Sequence, residues 1–449
     1  MPSILIVSAF FAPSGRIGGR RAEKIAGHLA HLGWDVSVLT MHAKHTPPLD
    51  PNLAIPENVE VIRTGAFLPR DILRRFSGSI AGQRSTQGKV PGNPDSGQTL
   101  FHERVLSTLR RGLGETVRGL LSRFEFLGEF SGWRPFALRA IRGRRFDVAL
   151  ITLPPFSTAW IGLEVARRCG ARLVIDYRDP WKEMLAGQPL GVRFSDKLLR
   201  RNEQIEQECL DHASAVIGVS PTICDWLRKR TRTCVELIPQ GFDPGSASTD
   251  PPARDPARLV YAGTLAYGRA LRPLFAAIAL LRDTVPPERL RLVYCGPNGD
   301  MARSEARDAG VSEYLDDLGQ VSAGRVRDVM LSGTAGIVIV SAGYEYAYPG
   351  KLFDILGTGR PILLVGPPQS DAADLVTSHR LGWSHSESDI TGIACTISKA
   401  IQGVTTIPEG LEELSVPTLM NRLAALLDCT LAGGPGPLLA SVTTMESDA

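Results

Sequence analysis

The sequence predicts an α/β protein made of two tandem parallel sheets, each covered by helices on both faces. Three observations predict it. Short apolar runs alternate with amphipathic helical segments along most of the 449 residues, the pattern of parallel strands joined by helical crossovers. The chain is too long for one ordinary hydrophobic core. The alternation also breaks once, at DPGSASTDPPARDPA (243–257), and then restarts. Two Rossmann-like halves, 1–243 and 258–415, are therefore expected on either side of a Pro/Ser/Asp-rich linker at 244–257.

In the first half, SILIVSA (3–9) opens as a core strand. The run ILIVSAFFA (4–12) has the length of a signal-peptide core, but no basic leader precedes it, and a Gly/Arg-rich loop and a helix follow directly, so the strand is preferred. A helix near 20–32 leads to DVSVLT (35–40), and VEVIRT (59–64) is a third strand. The stretch 77–99, rich in Gly, Ser, Gln and Pro, is expected to be a disordered insertion. FDVALIT (146–152), a helix over 157–169 and ARLVIDY (171–177) form a strand–helix–strand unit. A polar helix over 195–212 leads to SAVIGVS (214–220) and CVELIP (234–239).

The second half repeats the plan with RLVYAG (258–263), a helix over 270–283, RLRLVYCG (289–296) and a helix near 299–309. The strands GIVIV (336–340) and PILLV (361–365) follow. A last helix, 416–429, is expected to pack back on the first domain. The tail, 430–449, is expected to be disordered.

Composition excludes several classes. A net charge of +3 gives no general argument for nucleic acid. The seven cysteines (169, 209, 224, 234, 295, 395, 429) make no CxxC or Cys/His spacing, which favours a reduced compartment and no metal. No apolar run reaches the roughly 20 residues of a membrane span. The first strand ends in SAFFAPSGRIGGR, whose Gly15, Gly18 and Gly19 do not form G-x-G-x-x-G. The second ends in VLTMHA, with no acid for a ribose, and there is no Walker A sequence. A cytoplasmic location is expected.

Chemistry gathers where strands give way to helices, because ligands of doubly wound sheets bind beyond the carboxyl ends of the strands. The segment YEYAYPGKLFDILGTGRPILLV (344–365) places Glu345, a Pro-Gly pair, Lys351 and Asp354 between two buried strands. A helix starting near Lys351 offers free N–H groups and a positive dipole end, which suit phosphate. Glu345 and Asp354 would repel phosphate and suit sugar hydroxyls instead. Phosphate together with a polyol describes a nucleotide sugar. In the first half, the double glycine Gly18–Gly19 favours close backbone approach to a ligand.

With these residues in view, the chain resembles glycosyltransferases of the GT-B fold, family 4, of the bacterial surface-polysaccharide type. FFAPSGRIGGRRAEKIAGHLAHLGWDVSVLT resembles the family's opening strand, glycine loop, helix and strand. VIDYRDPW (174–181) resembles a segment of members that build surface polysaccharides. IPQGFDP (238–244) resembles the close of the first domain. YAGTLAYGR (261–269) and YPGKLFDILGTGRPIL (348–363) resemble the donor-domain opening and the donor-site helix. The resemblance covers nearly the whole chain in order.

The resemblance implies a metal-independent, hexosyltransferase-like enzyme of retaining stereochemistry acting in polysaccharide or glycoconjugate biosynthesis. It implies no cofactor beyond a UDP- or GDP-linked co-substrate. The implied donor site comprises Gly18, Gly19, Gly263, Thr264, Arg269, Arg272, Glu345, Tyr348, Pro349, Gly350, Lys351, Leu352 and Asp354. Asp179, Arg178 and Glu345 are the catalytic candidates, and Arg20 and Asp176 the acceptor candidates. The chain departs from the family pattern in places. Tyr346 stands eight before Asp354, where many relatives carry a glutamate, and Thr264 and Ala270 stand where relatives often carry Arg and Lys. No histidine follows the strand at 146–152.

Each candidate has a structural alternative. Glu345 and Lys351 are also read as solvated side chains, Asp354 as a complement to the helix dipole, and Gly18–Gly19 as a simple turn. Asp176, Arg178 and Asp179 are also read as a structural ion-pair cluster. A GT-B nucleotide-sugar epimerase and a non-catalytic glycosyltransferase-like partner are the alternative functions. The segment 104–145 interleaves arginines (110, 111, 118, 123, 134, 139, 142, 144, 145) with leucine and phenylalanine. It suits either an anionic membrane surface, where a lipid-linked acceptor is met, or an ordinary helical pair with solvated arginines. With the former, the protein sits peripherally on the inner face of the membrane. With the latter, a small-molecule acceptor is expected.

Overall fold

The computed structural model describes residues 1–51, 53–68, 130–185, 196–244, 256–404, 408 and 410–433. The expected insertion at 77–99, the arginines at 110, 111, 118 and 123, and most of the linker lie outside the described residues.

The first domain carries a seven-stranded, all-parallel sheet in the order β3-β2-β1-β4-β5-β6-β7. Its strands are β1 (Ser3–Val7), β2 (Asp35–Met41), β3 (Val59–Thr64), β4 (Val148–Leu153), β5 (Arg172–Tyr177), β6 (Ala213–Gly218) and β7 (Val235–Leu237). β1 and β4 sit at its centre, in register through Ile4 with Val36 on one side and Val148 on the other. Their continuous apolar sequence follows from burial on both faces. Alternate residues serve opposite cores, Leu5 and Val7 on one face, Ile4 and Ile6 on the other.

Among the described residues the helices of this domain are α1 (Ile17–His31), α2 (Arg134–Ala140), α3 (Ser157–Cys169), α4 (Trp181–Leu185), α5 (Asp196–His212) and α6 (Pro221–Arg228). α1 begins three residues earlier than the sequence predicts. Gly18 and Gly19 therefore lie in its first turn and not in a loop.

The second domain has a six-stranded parallel sheet in the order β10-β9-β8-β11-β12-β13. The strands are β8 (Ala257–Ala262), β9 (Leu290–Cys295), β10 (Leu315–Asp317), β11 (Ala335–Ile339), β12 (Ile362–Val365) and β13 (Gly382–His385). Gly336 of β11 pairs with Val260 of β8 and Ile362 of β12. The edge strands β10 and β13 were not expected from the sequence. The helices are α7 (Arg272–Leu281), α8 (Gly299–Asp308), α9 (Ala323–Leu331), α10 (Gly350–Leu356), α11 (Asp371–Ser378) and α12 (Ile390–Ile401).

The final helix, α13 (Val416–Ala432), runs three residues past the expected end, into the stretch read as tail. It stops at Gly433, whose φ of 75° is the left-handed conformation that ends a helix at little cost to glycine. Leu419, Leu423, Leu426 and Leu427 join the first-domain core with Ile25, Leu29 and Ile217. The chain crosses between domains twice, side by side: Phe242 N–H donates to Leu414 O (3.1 Å), and Val416 N–H donates to Phe242 O (2.8 Å). Each sheet reverses its winding at its first strand, so crevices open between β1 and β4 and between β8 and β11.

Candidate active site

The first-domain wall is built at the ends of β1, β4 and β5. Asp176, Arg178 and Asp179 fall within four residues at the end of β5, yet they take different partners. Asp176 is still in the strand, and its side chain is fully buried. Arg21 of α1, itself 2% exposed, donates from Nε to both Asp176 oxygens at 3.0 and 2.8 Å. Arg21 also donates to Pro239 O and Ile238 O, both at 2.8 Å. Asp176 does not face an acceptor. The acceptor role expected from the sequence gives way to a structural one, a buried ion pair tying α1 to β5 and to the end of β7.

Arg178 lies beyond the strand, half-buried, donating to Leu153 O at 3.1 Å and to Pro154 O. Its guanidinium lies against Gly18, where a Cβ would come within 3.4 Å of it and 2.9 Å of the Phe10 ring. Gly18 thus lets Arg178 lie across the start of α1. A Cβ on Gly19 would sit 3.1 Å from Phe10 O, so close packing of α1 on the preceding loop accounts for that glycine. Enclosure by the cleft pushes the Asp179 carboxyl above its usual value, and the neighbouring Arg178 offsets this only in part. Arg20, expected at the acceptor, is drawn towards Glu23 (3.6 Å) and Asp50 (3.5 Å).

The opposite wall is the β11–α10 loop. Asp179 faces it closely enough that its negative charge acts on both Tyr344 and Tyr346. Burial, more than this charge, raises the two phenols. Tyr344 also feels Arg269, from the loop after β8. Arg269 is half-buried, and burial raises the nearby Tyr261 phenol to about 12 against the pull of that arginine. Tyr346 is 5% exposed and packs into the first-domain core, its ring 5.4 Å from that of Trp226. Its hydroxyl and the Ser341 hydroxyl are enclosed without a protein partner.

Glu345 is half-buried, and its Oε1 accepts from Gly343 N–H at 2.9 Å. Lys351 and Asp354 pair with each other at 2.9 Å on the exposed side of α10, 41% and 54% exposed. The positive fields of Lys351 and Arg325 both reach the Cys295 thiol at the end of β9. Arg325 thus shares the surroundings of Cys295 with Lys351, and nothing in GQVSAGRVRD marks it in the sequence. Gly263 N–H donates to Cys295 O (2.9 Å) and Thr264 O accepts from the Tyr261 hydroxyl (3.3 Å), so both hold the loop after β8. Tyr348 packs edge-on against Phe353, and Leu352 is buried in the core under α10. Pro349 is the N-cap of α10, and Gly350 its first residue. Arg272 is 73% exposed and leans 3.4 Å towards Glu305 of α8.

A separate depression of about 540 Å³ is lined by Arg134, Leu138, Arg139, Arg142 and Arg168. It lies along α3, where Arg134 stacks on the ring of Trp160 at 4.3 Å. Arg134 and Arg168 are both bound to Glu164 there. Among the described residues no group of three His, Cys, Asp or Glu side chains is placed to hold a metal ion, and no helix is long and apolar enough to cross a membrane.

Residues 18–241 match the sequence model described as a glycosyl transferase 4-like domain. Among solved structures, the sucrose-phosphate synthase of Thermosynechococcus elongatus aligns with a TM-score of 0.58 at 15% identity, over 97% of this chain and 100% of its own. HepE of Anabaena in complex with UDP-glucose aligns at 0.56 and 14% identity, over 95% and 99%. The lipopolysaccharide outer core galactosyltransferase WaaB aligns at 0.51 and 13% identity, over 96% and 99%. No curated protein sequence matches the chain.

Proposed function

With residues 18–241 belonging to the glycosyl transferase 4-like family and the whole chain in the GT-B fold, we propose that this protein moves a sugar from a nucleotide-sugar donor to an acceptor hydroxyl. The observation that carries the reading is the pairing of walls at the two switch-point crevices. On the second domain Arg269 acts on Tyr344 and Lys351 and Arg325 act on Cys295, while Asp179 of the first domain acts on Tyr344 and Tyr346 of the β11–α10 loop. HepE, which aligns over 95% of this chain, has been solved with UDP and with UDP-glucose, which supports a UDP-linked donor. A GDP-linked donor is the other class to test.

Sugar transfer leaves a nucleoside diphosphate with new negative charge, and stabilising that charge is the protein's main task. Arg269 and Lys351 supply cations, and the start of α10 supplies backbone N–H groups. Glu345 holds sugar hydroxyls. Asp354 does the same once Lys351 turns to phosphate. Gly18 opens the space in which Arg178 meets the donor, and Asp179 receives the acceptor. The family resemblance adds retention of configuration and no cofactor beyond the co-substrate. A lipid-linked acceptor met at the membrane surface is supported by Phe67 and Phe136, 49% and 41% exposed, on the domain edge that carries Arg139 and Arg142.

The test is a melting-point screen with UDP and GDP, followed by turnover with UDP- and GDP-linked sugars. A ligand at a hundred times its Kd adds about 2.7 kcal/mol to native stability. A shift with UDP or GDP and release of that diphosphate from its sugar supports the reading. No shift with either refutes it, and a shift without turnover leaves a non-catalytic partner.

A further inference from the structure

α6 has an N-cap residue that does not cap it. Ser220 has the extended backbone of an N-cap, but its side chain makes no capping bond. Its hydroxyl donates across the domain boundary to Tyr346 O at 2.6 Å. The free N–H at the second position of the helix, that of Thr222, is taken by Asp371 of the other domain. Thr222 N–H donates to Asp371 Oδ2 at 3.0 Å, and the Thr222 hydroxyl donates to Oδ1 at 2.8 Å. A capping side chain serves this same N–H in an ordinary helix. Asp371, 7% exposed, therefore caps a helix to which it does not belong.

The same residue holds the donor loop. The Asp371 N–H donates to Glu345 O at 2.9 Å. Glu345 thus stands between two fastenings, its own carbonyl on Asp371 and the next carbonyl on Ser220. The Tyr346 ring completes the contact against Trp226 of the capped helix. We propose that Asp371 is a positioning residue that sets Glu345 against the sugar by clamping the β11–α10 loop to the first domain. The clamp closes only when the domains meet, because the Asp371–Thr222 and Ser220–Tyr346 bonds each need a group from both, while the Asp371 amide holds Glu345 O within the second domain. The proposal rests on the reading that Glu345 touches the donor sugar.

The experiment uses the full chain. In Asp371→Ala, hydrogen exchange at the Thr222 amide is expected to rise at least tenfold, while that of Ala373, capped within its own helix by Ser370, is unchanged. Donor kcat is expected to fall about tenfold with UDP or GDP affinity held within twofold, since the cations that bind diphosphate lie elsewhere. Adding Glu345→Gln to Asp371→Ala should cost no further activity. Asp371→Asn, which keeps the shape and one acceptor oxygen, should recover part of both losses and guards against misfolding of the alanine variant. Unchanged Thr222 exchange, or full additivity of the two substitutions, overturns the proposal. Exchange needs no substrate, so a Glu345→Gln protein of normal activity strikes instead at the donor reading of Glu345.

Discussion

Replacing Asp176 with alanine should unfold the first domain long before it changes how any acceptor binds. Arg21 donates from its two Nη groups to Pro239 O and Ile238 O and shares its single Nε–H between both Asp176 oxygens at 3.0 and 2.8 Å, with the pair 2% and 0% exposed. Removing one partner of such a buried ion pair costs roughly 3–5 kcal/mol. With a slope of about 3 kcal/mol per molar urea, the midpoint should fall by about 1–1.7 M. Tryptophan fluorescence isolates the affected domain, because Trp34, Trp133, Trp160, Trp181 and Trp226 belong to it and Trp383 alone to the other. Arg21→Met with Asp176→Leu should recover most of the loss, since it leaves no charge behind. An unchanged midpoint in Asp176→Ala would refute the structural reading. Weaker acceptor binding at normal stability would restore the acceptor role.

Arg269→Ala and Lys351→Ala should each weaken diphosphate binding by about 1.5–3 kcal/mol in calorimetry, and equal affinity in both variants removes these cations from the site. Gly19→Ala should lower the melting point without altering diphosphate affinity, because its Cβ meets Phe10 O at 3.1 Å, whereas affinity lost at constant melting point would return Gly19 to the ligand. Burial raises Asp179, so its ionised form is lost as pH falls through a value above the ordinary aspartate range. Activity that uses the carboxylate declines on that acid limb, and Asp179→Asn should abolish the limb, which a pH–rate profile measures. Sedimentation with anionic vesicles at low salt should exceed that at high salt or with neutral vesicles, and equal, negligible binding points to a small-molecule acceptor.

Strands buried on both faces were legible because their apolar runs are continuous. β10 (LDD) and β13 (GWSH) were not, because these three- and four-residue strands carry no apolar run, unlike the edge strand β3 (VEVIRT). α6 and α11, eight residues each, are too short to show periodicity. Local chemistry alone singles out Glu345 and Lys351 in the sequence, and the structure places the first half-buried in the β11–α10 loop and the second about half exposed on α10. The sequence could not tell Asp176 from Asp179. Their difference is that one still lies in the strand, beneath α1, while the other has passed into the loop. Nor could it join Asp371 to Thr222, since that contact depends on how two separately legible domains meet.

What distinguishes the site from its scaffold is the cost of recruiting each charge. Asp176 and Arg21 are unavailable to a ligand, since parting them would strand a buried charge at several kcal/mol. Lys351 and Asp354 form an equally short pair, at 2.9 Å, but each is about half exposed. Such a pair is worth about 0–1 kcal/mol, so a diphosphate can draw Lys351 away, and the freed Asp354 can accept from a hydroxyl, for almost nothing. The two charges neutralise each other until a ligand arrives that offers an anion and a hydroxyl together, as a nucleotide sugar does. Inorganic phosphate offers only the first. It should therefore bind more weakly to this protein than to Asp354→Asn, whereas a UDP- or GDP-linked sugar should prefer the native pair. Calorimetry with both ligands on both proteins measures the reversal, and a phosphate affinity indifferent to Asp354→Asn would show that the pair does not guard the site.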